Sequence, residues 1–429
     1  MHGTRVALLM CMVMTPIVMF SATAHGRPAQ RRRDLLTEAG PVALVLCDVD
    51  SDGILDIVTA NRFGRSISVF RGVGGGRFAP SVNSDIPGAP CSLAACDLNA
   101  DGRVDLAVAT SDTPHVAYVY LNLGDGTLSD PVASDDSAET SFITCGDVDG
   151  DGQVDLLASS AVSMVFVQNG WPVTIQSALH VVFAGKDNDF RFRGVDIDHP
   201  TCVGPIQTSI VGQFNPDQAP DLALALARPE PMKRQWQSGS PTFGSPSLGF
   251  FRLGPTSPFD KDVLNCGGVA VLRGSAESDT AFSWDGVWRG TAVSDLAAVD
   301  IDGDGIHDIV AVGADSDTLY VLRERGELAG WLEPSERYEV GRDPRSIVVS
   351  DLNADGHDDL VVVNAGSDDI AVLLSTGQIF LPPVHFEVGN SPRAACVGDL
   401  DGDGVLDVAV ANRVSGTVSV LFGVSGGWF

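Results

Sequence analysis

Asp48-Val49-Asp50-Ser51-Asp52-Gly53-Ile54-Leu55-Asp56 decides how this chain is read: carboxylates stand at positions 1, 3, 5 and 9, and glycine at position 6. The pattern returns, with neither insertion nor deletion, at Asp97 to Asp105, Asp147 to Asp155, Asp300 to Asp308, Asp351 to Asp359 and Asp399 to Asp407. Within the two groups of three, successive copies start 48 to 51 residues apart. That interval suits one blade of four short strands in a radial repeat. The gap from 147 to 300 must then hide a further copy, and a worn one spans Gln213 to Asp221, followed by the apolar run Leu222 to Ala227. Seven units result.

Strand signals repeat around each acidic loop. An apolar stretch such as Ser346 to Val349 precedes it, and a β-rich run such as Leu106 to Ala109 or Leu360 to Val363 follows. A third run comes at Ile67 to Phe70, Val116 to Tyr120, Val269 to Leu272, Ile370 to Leu374 and Val418 to Phe422, and a fourth includes Tyr338 to Val340 or Phe386 to Val388. Each unit reads as strand A, acidic loop, then strands B, C and D. One such sheet cannot bury both its faces, whereas seven packed about an axis can. The last unit stops at Trp428-Phe429, just after its strand C, and Arg33 to Glu38 stands where a strand D belongs. The expected fold is all-β: a seven-bladed β-propeller of four-stranded antiparallel blades, closed by an N-terminal strand completing the last blade. It forms a single domain over residues 25–429, with insertions at about 178–202 and 229–265.

The loop carries the chemistry. Side-chain oxygens at positions 1, 3 and 5 converge, glycine at 6 allows the sharp turn, position 7 offers its carbonyl and position 9 closes the sphere: hard oxygen ligands that suit Ca²⁺. The ligands read this way are Asp48, Asp50, Asp52, Ile54 and Asp56; Asp97, Asn99, Asp101, Arg103 and Asp105; Asp147, Asp149, Asp151, Gln153 and Asp155. In the second group they are Asp300, Asp302, Asp304, Ile306 and Asp308; Asp351, Asn353, Asp355, His357 and Asp359; Asp399, Asp401, Asp403, Val405 and Asp407. An EF-hand requires a glutamate at position 12. Here that position holds Thr59, Val108, Ala158, Ala311, Val362 or Val410, so the loop belongs to a hairpin between A and B. The worn fourth copy lacks the first carboxylate and the turn glycine, and its loop is expected to be empty or weak. About six structural Ca²⁺ sites remain, and chelation is expected to lower the melting temperature.

The six acidic loops, Gly88-Ala89-Pro90 before the second of them and the ending Ser419-Val420-Leu421-Phe422-Gly423 resemble the FG-GAP/VCBS repeat family, the seven-bladed propeller type also seen in integrin alpha-subunit heads. The resemblance spans Asp34 to Phe429. It implies the propeller fold and calcium; relatives range from adhesion receptors to lectins and lyases.

Composition agrees with cation binding and narrows the partners. The 429 residues carry a formal charge of -29, and 46 of the 56 acidic residues are aspartate. A field of that sign repels nucleic-acid phosphates and anionic lipid heads. At the N-terminus, Arg5, the apolar run Val6 to Phe20 and Ala22-Thr23-Ala24 read as a secretory signal over residues 1–24, placing the mature protein outside the cytoplasm. No later segment is long and apolar enough to span a membrane. Cys47, Cys96, Cys145 and Cys396 sit on strand A as small apolar fillers near the axis, with an axial thiolate site as the rival reading; Cys202 and Cys266 flank the insertions and can pair in an oxidising compartment.

Recognition is assigned by strand alternation. If the A–B loops hold calcium on one rim, the B–C and D–A connections emerge on the other. Both insertions fall there, bringing Arg191, Arg193 and His199 near Trp236, while Trp284, Trp288 and Arg289 approach from a D–A connection. Aromatic planes with arginine suit sugar stacking or a protein hot spot. The rival reading is that they pin the insertions to the blades. Gly341 to Arg345 and Gly389 to Arg393 are turns on the same rim, whose arginines are read as ties between blades. The sequence contains no nucleophile or zinc-hydrolase motif. The function expected is therefore a secreted calcium-binding module for an extracellular protein or polysaccharide. A polysaccharide lyase or hydrolase on that rim is the alternative, and a lectin with one site per blade comes third.

Overall fold

A central strand covered on both faces must be apolar throughout, and that is how the second strand of each repeat is built. Asp56–Asn61, Asp105–Thr110, Asp308–Gly313, Asp359–Asn364 and Asp407–Asn412 are buried along their whole length. The computed structural model describes residues 31–112, 117–133, 142–146, 154–159, 164–168, 171–175, 179–182, 193–194, 196–197, 206–212, 214, 221–226, 267–275, 278–313, 315–323 and 334–429. All belong to the unit Arg31–Phe429.

Strand β1 (Arg32–Leu36) is followed by the sheet β2 (Pro41–Cys47), β3 (Asp56–Asn61), β4 (Ser66–Phe70) and β5 (Val82–Asp85). Next comes β6 (Pro90–Cys96), β7 (Asp105–Thr110), β8 (Ala117–Tyr120) and β9 (Val132–Ala133). The third sheet runs β10 (Phe142–Gly146), β11 (Asp155–Ser159), β14 (Leu179–Val182), β15 (Arg193–Gly194), with a separate hairpin of β12 (Met164–Gln168) and β13 (Trp171–Ile175) between its second and third strands. β16 (Asp196–Ile197) then adds in parallel to a sheet of β17 (Ile206–Gly212), β18 (Asp221–Leu226), β19 (Gly267–Ser275) and β20 (Ser278–Gly290). The sheets β21 (Val293–Val299), β22 (Asp308–Gly313), β23 (Thr318–Leu322), β24 (Glu336–Glu339) and β25 (Pro344–Ser350), β26 (Asp359–Asn364), β27 (Asp369–Leu373), β28 (Val384–Glu387) follow the regular order. β29 (Pro392–Gly398), β30 (Asp407–Asn412) and β31 (Thr417–Leu421) take β1 as their fourth strand, with Arg32 opposite Leu421 and Leu36 opposite Thr417.

The architecture is a β-propeller of four-stranded antiparallel blades, six of them among the described residues rather than the seven expected from the repeat count. The odd unit is the one with the worn loop, where the parallel β16 makes a five-stranded sheet. First strands of successive sheets pack on one another: β29 on β2, β2 on β6, β6 on β10, β10 on β17, β17 on β21, β21 on β25, and β25 on β29. The core lies between sheets. Val58, Ala60 and Ile67 meet Leu93, Leu106 and Val108 in one layer, and Val361, Val363 and Ile370 meet Val408, Val410 and Leu421 in another. Outer strands are the wet ones; Val82–Asp85 is exposed throughout.

Three expectations change here. The segment set apart at about 178–202 is partly blade, since Leu179–Val182 and Arg193–Gly194 are strands of the β10 sheet; the excursion is instead the β12–β13 hairpin, whose pairing of Gln168 with Trp171 leaves Asn169-Gly170 between, a dipeptide favoured in tight hairpins. The cysteines of the inner strands are not all apolar filler: Cys96 and Cys145 form a disulfide between β6 and β10, with Cα atoms 6.6 Å apart. Cys47 and Cys396 remain free, Cys396 donating through Sγ to the Leu44 carbonyl at 3.2 Å. Finally, Trp284, Trp288 and Arg289 lie in β20, the fourth strand of the repeat, not in a connection. Residues 1–24, the insertion at 229–265 with Trp236, and Arg191, His199, Cys202 and Cys266 lie outside the described residues.

Candidate metal centres and the opposite rim

The acidic loop folds around its first aspartate. Asp48 accepts from the amides of Asp52 at 3.1 Å and Gly53 at 2.7 Å, and Asp52 accepts from Ile54 at 2.8 Å. The same bonds recur from Asp97, Asp300, Asp351 and Asp399 to the fifth and sixth residues of their loops. Two positions per loop enter the left-handed region. Position 6 is always glycine there (φ 84° at Gly53, 87° at Gly356), whereas position 4 is Ser51, Ala100, Gly303, Ala354 or Gly402. An alanine in that conformation costs about 1–2 kcal/mol, so the loop is held by more than local preference.

The ninth position supplies the hold. Asp56 Oδ2 accepts from the Val49 amide at 2.9 Å and Oδ1 from Gly72 at 2.8 Å, tying the acidic loop to the C–D connection of its own blade. Asp105 does so with Leu98 and Asn122, Asp359 with Leu352 and Ser375, and Asp407 with Leu400 and Gly423. Sequence reasoning treated this residue as a ligand only. Its second role shows in the worn copy, where Asp221 is fully buried and still accepts from Phe214 at 3.0 Å although the first carboxylate is missing. The residue at position 2 packs beneath: Val49, Leu98, Phe214, Ile301, Leu352 and Leu400 are all buried. Burial raises the carboxyls of Asp359 and Asp407 to about 6 against the two amide bonds each accepts, with the nearby loop carboxylates adding to the rise.

Among the described residues, three loops bring carboxylate oxygens within 4.8 Å of one another: Asp48, Asp50 and Asp56; Asp300, Asp302 and Asp304; Asp399, Asp401 and Asp407. An all-oxygen donor set of that kind fits a hard cation. Asp50 Oδ1 adds a specific sign, being buried with no hydrogen-bond partner. Guanidinium groups stand just outside the clusters, Arg71 at 3.7 Å from Asp50, Arg323 at 3.8 Å from Asp302 and Arg31 at 3.9 Å from Asp401. These arginines went unremarked in the sequence because they lie far from the loops along the chain. Where position 3 is asparagine, its amide turns to the next carboxylate, Asn99 to Asp101 at 3.1 Å and Asn353 to Asp355 at 3.0 Å, and Arg103 also pairs with Asp101. Asp147, Asp149, Asp151 and Gln153 lie outside the described residues; Asp155 begins β11 and is buried.

At the other end of the sheets, a cavity of about 600 Å³ opens between the β21–β24 and β25–β28 blades. Its walls include Thr318, Glu339, Arg342, Ser367, Asp369 and His385. Asp369 holds His385 Nδ1 at 3.1 Å and accepts from Asn364 and Ser367 through its other oxygen. The sequence reading had placed recognition elsewhere on this rim. Of its residues, Trp288 is 4% exposed, with its ring 4.7 Å from that of Tyr320 in the next blade. It packs between two sheets; the rest of that set is without a described side chain.

With this geometry in hand, the repeats can be placed among known proteins. The FG-GAP-like repeat pattern matches residues 48–108, 97–158, 300–362 and 351–410, together just over half of the chain. The chain belongs to the FG-GAP-like repeat family. No curated protein matches this FG-GAP-like chain significantly. Among solved structures it is similar to BBS1N in a complex with ARL6DN, at 11% identity and a TM-score of 0.56, over 92% of this chain and 97% of that one. It is also similar to the hydrazine synthase of Kuenenia stuttgartiensis, at 11% identity and a TM-score of 0.55, over 94% and 99% of the two chains. At such identities the likeness is one of fold.

Proposed function

We propose that this FG-GAP-like protein is a secreted, calcium-stabilised propeller that binds an extracellular protein or glycan through the end of its sheets away from the acidic loops. In this reading the five-stranded sheet serves as a seventh blade and the ring closes through β1. The unbroken succession of packed inner strands, returning from β29 to β2, supports it, as does the pairing of β1 with β31.

The observation that carries the calcium part is the buried, unpartnered Asp50 oxygen inside a cluster of three carboxylates. A cation there removes both the repulsion and the unmet hydrogen-bonding need. If each site had the roughly 10⁻⁴ to 10⁻³ M affinity of extracellular modules, calcium at ten times that concentration would add about 1.4 kcal/mol per site. Calorimetric melting of metal-depleted protein, with and without calcium, tests this: the expected result is a rise in Tm, and identical curves reject it. Recognition rests on the polar cavity with Asp369 and His385, whose hydroxyls, carboxylates and imidazole suit a hydroxyl-rich ligand. A glycan array and a pull-down from secreted proteins, each repeated with His385→Ala, measure it. Binding that the substitution leaves untouched removes this cavity from the reading.

A further inference from the structure

The chain carries 27 basic residues against 56 acidic ones, yet four arginines gather at one end of neighbouring blades. Arg345 and Arg393 are the second residues of β25 and β29, neighbouring inner strands. Arg413 follows β30 in the blade of Arg393, its amide bonded to the Ser391 carbonyl at 3.0 Å. Arg62 holds the matching place after β3 in the next blade, bonded to the Gly40 carbonyl at 2.8 Å. Arg413 reaches across to that blade, its guanidinium 5.0 Å from the ring centre of Phe63.

Their partners do not balance them. Arg345 pairs with Asp343 at 2.6 Å, but its Nε is buried without an acceptor. The Nε of Arg393 is likewise buried and unpartnered, and among the described residues no carboxylate pairs with Arg62, Arg393 or Arg413. Burial, and then the charges of Arg345, Arg413 and Arg62, push the pKa of Arg393 down, with Asp343 opposing. A guanidinium does not deprotonate in a protein, so an anion beside this half-buried group would offset both its burial and the repulsion of its neighbours. The fork geometry matches a carboxylate, and Phe63, 61% exposed beside Arg413, offers the carbon skeleton of an organic acid an apolar face.

We infer that the arginine cluster at the ends of β25 and β29 is a binding site for an organic carboxylate, seated between the guanidinium groups of Arg345 and Arg393 with Arg413 and Phe63 at its side. This goes beyond the proposed function, needing neither calcium nor the insertions. The recognised chemistry is the same whether the acid is free or borne by a larger ligand.

Titration calorimetry on the full chain in chloride buffer tests it, with phenylacetate and inorganic phosphate as separate probes. Saturable binding of phenylacetate is expected, weakening as salt rises and falling at least about tenfold in Arg393→Gln. Arg77→Gln, at the other end of its blade, serves as the control and retains binding. A packing role alone would make Arg393→Gln less stable; as an anion site its removal leaves Tm unchanged or higher, because a half-buried repelling charge is gone. Should Arg393→Gln not fold, Arg413→Gln gives the same reading. No saturable binding of either probe, or equal binding by wild type and variant, overturns the site. Binding of phosphate alone overturns the carboxylate assignment.

Discussion

Asp407 works twice in a few ångströms, and the two tasks can be separated. Its oxygens take the buried amides of Leu400 and Gly423 at 2.9 and 2.7 Å, while the same carboxylate stands within 4.8 Å of oxygens on Asp399 and Asp401. An unmet buried amide costs about 1–3 kcal/mol. Asp407→Ala is therefore expected to lower stability by about 2–5 kcal/mol even without metal, read from urea unfolding in chelator. Asp403→Ala removes an exposed carboxylate that accepts only from Asp403's own loop, at Val405. In chelator it should unfold near the wild type and differ mainly by a smaller gain on adding calcium. Equal losses for both variants in chelator would show that the ninth position has no separate structural part.

At the scale of elements, the disulfide shows how strand alternation chooses partners. Cys96 stands one residue before its acidic loop and Cys145 two before its own, so their side chains leave opposite faces of their sheets. Opposite faces of adjacent sheets look at each other, and these two cysteines meet. Cys47 and Cys396, at one and three residues before their loops, share a face and stay apart. The bond closes a span of 49 residues, for which chain entropy sets a stabilisation of up to about 4 kcal/mol. Cys145→Ala should lose up to that amount in denaturant unfolding and reduce the stability that reductant removes; a variant as stable as the wild type would assign the bond no such role. Strands B were legible in the sequence because burial on both faces leaves an uninterrupted apolar run, and the loops because their spacing never slips. What stayed hidden depends on neighbours distant along the chain: the amides that Asp56 and its equivalents receive from the C–D connection, the burial of Trp288 against Tyr320, and the parallel addition of β16.

Across the whole molecule, the acidic loops share one end of the blades. Strands β2, β6, β25 and β29 each begin at a proline and end just before the first aspartate of their loop, so these loop carboxylates lie at one end of the blades and the guanidinium groups of Arg345 and Arg393 at the other. With a formal charge of -29, self-repulsion at the acidic side is screened by salt over about 10 Å at 0.1 M. Sodium chloride should thus raise the melting temperature of chelated protein more than that of calcium-loaded protein; a parallel shift of both curves would place the destabilising repulsion elsewhere. The pairing of β1 with β31 has a further bearing on how such a chain is made. Arg32 to Leu36 leaves the ribosome about 380 residues ahead of its partner, so a nascent polypeptide halted before Thr417 keeps that strand without its mate, and quality control meets its unpaired edge until Leu421 has emerged.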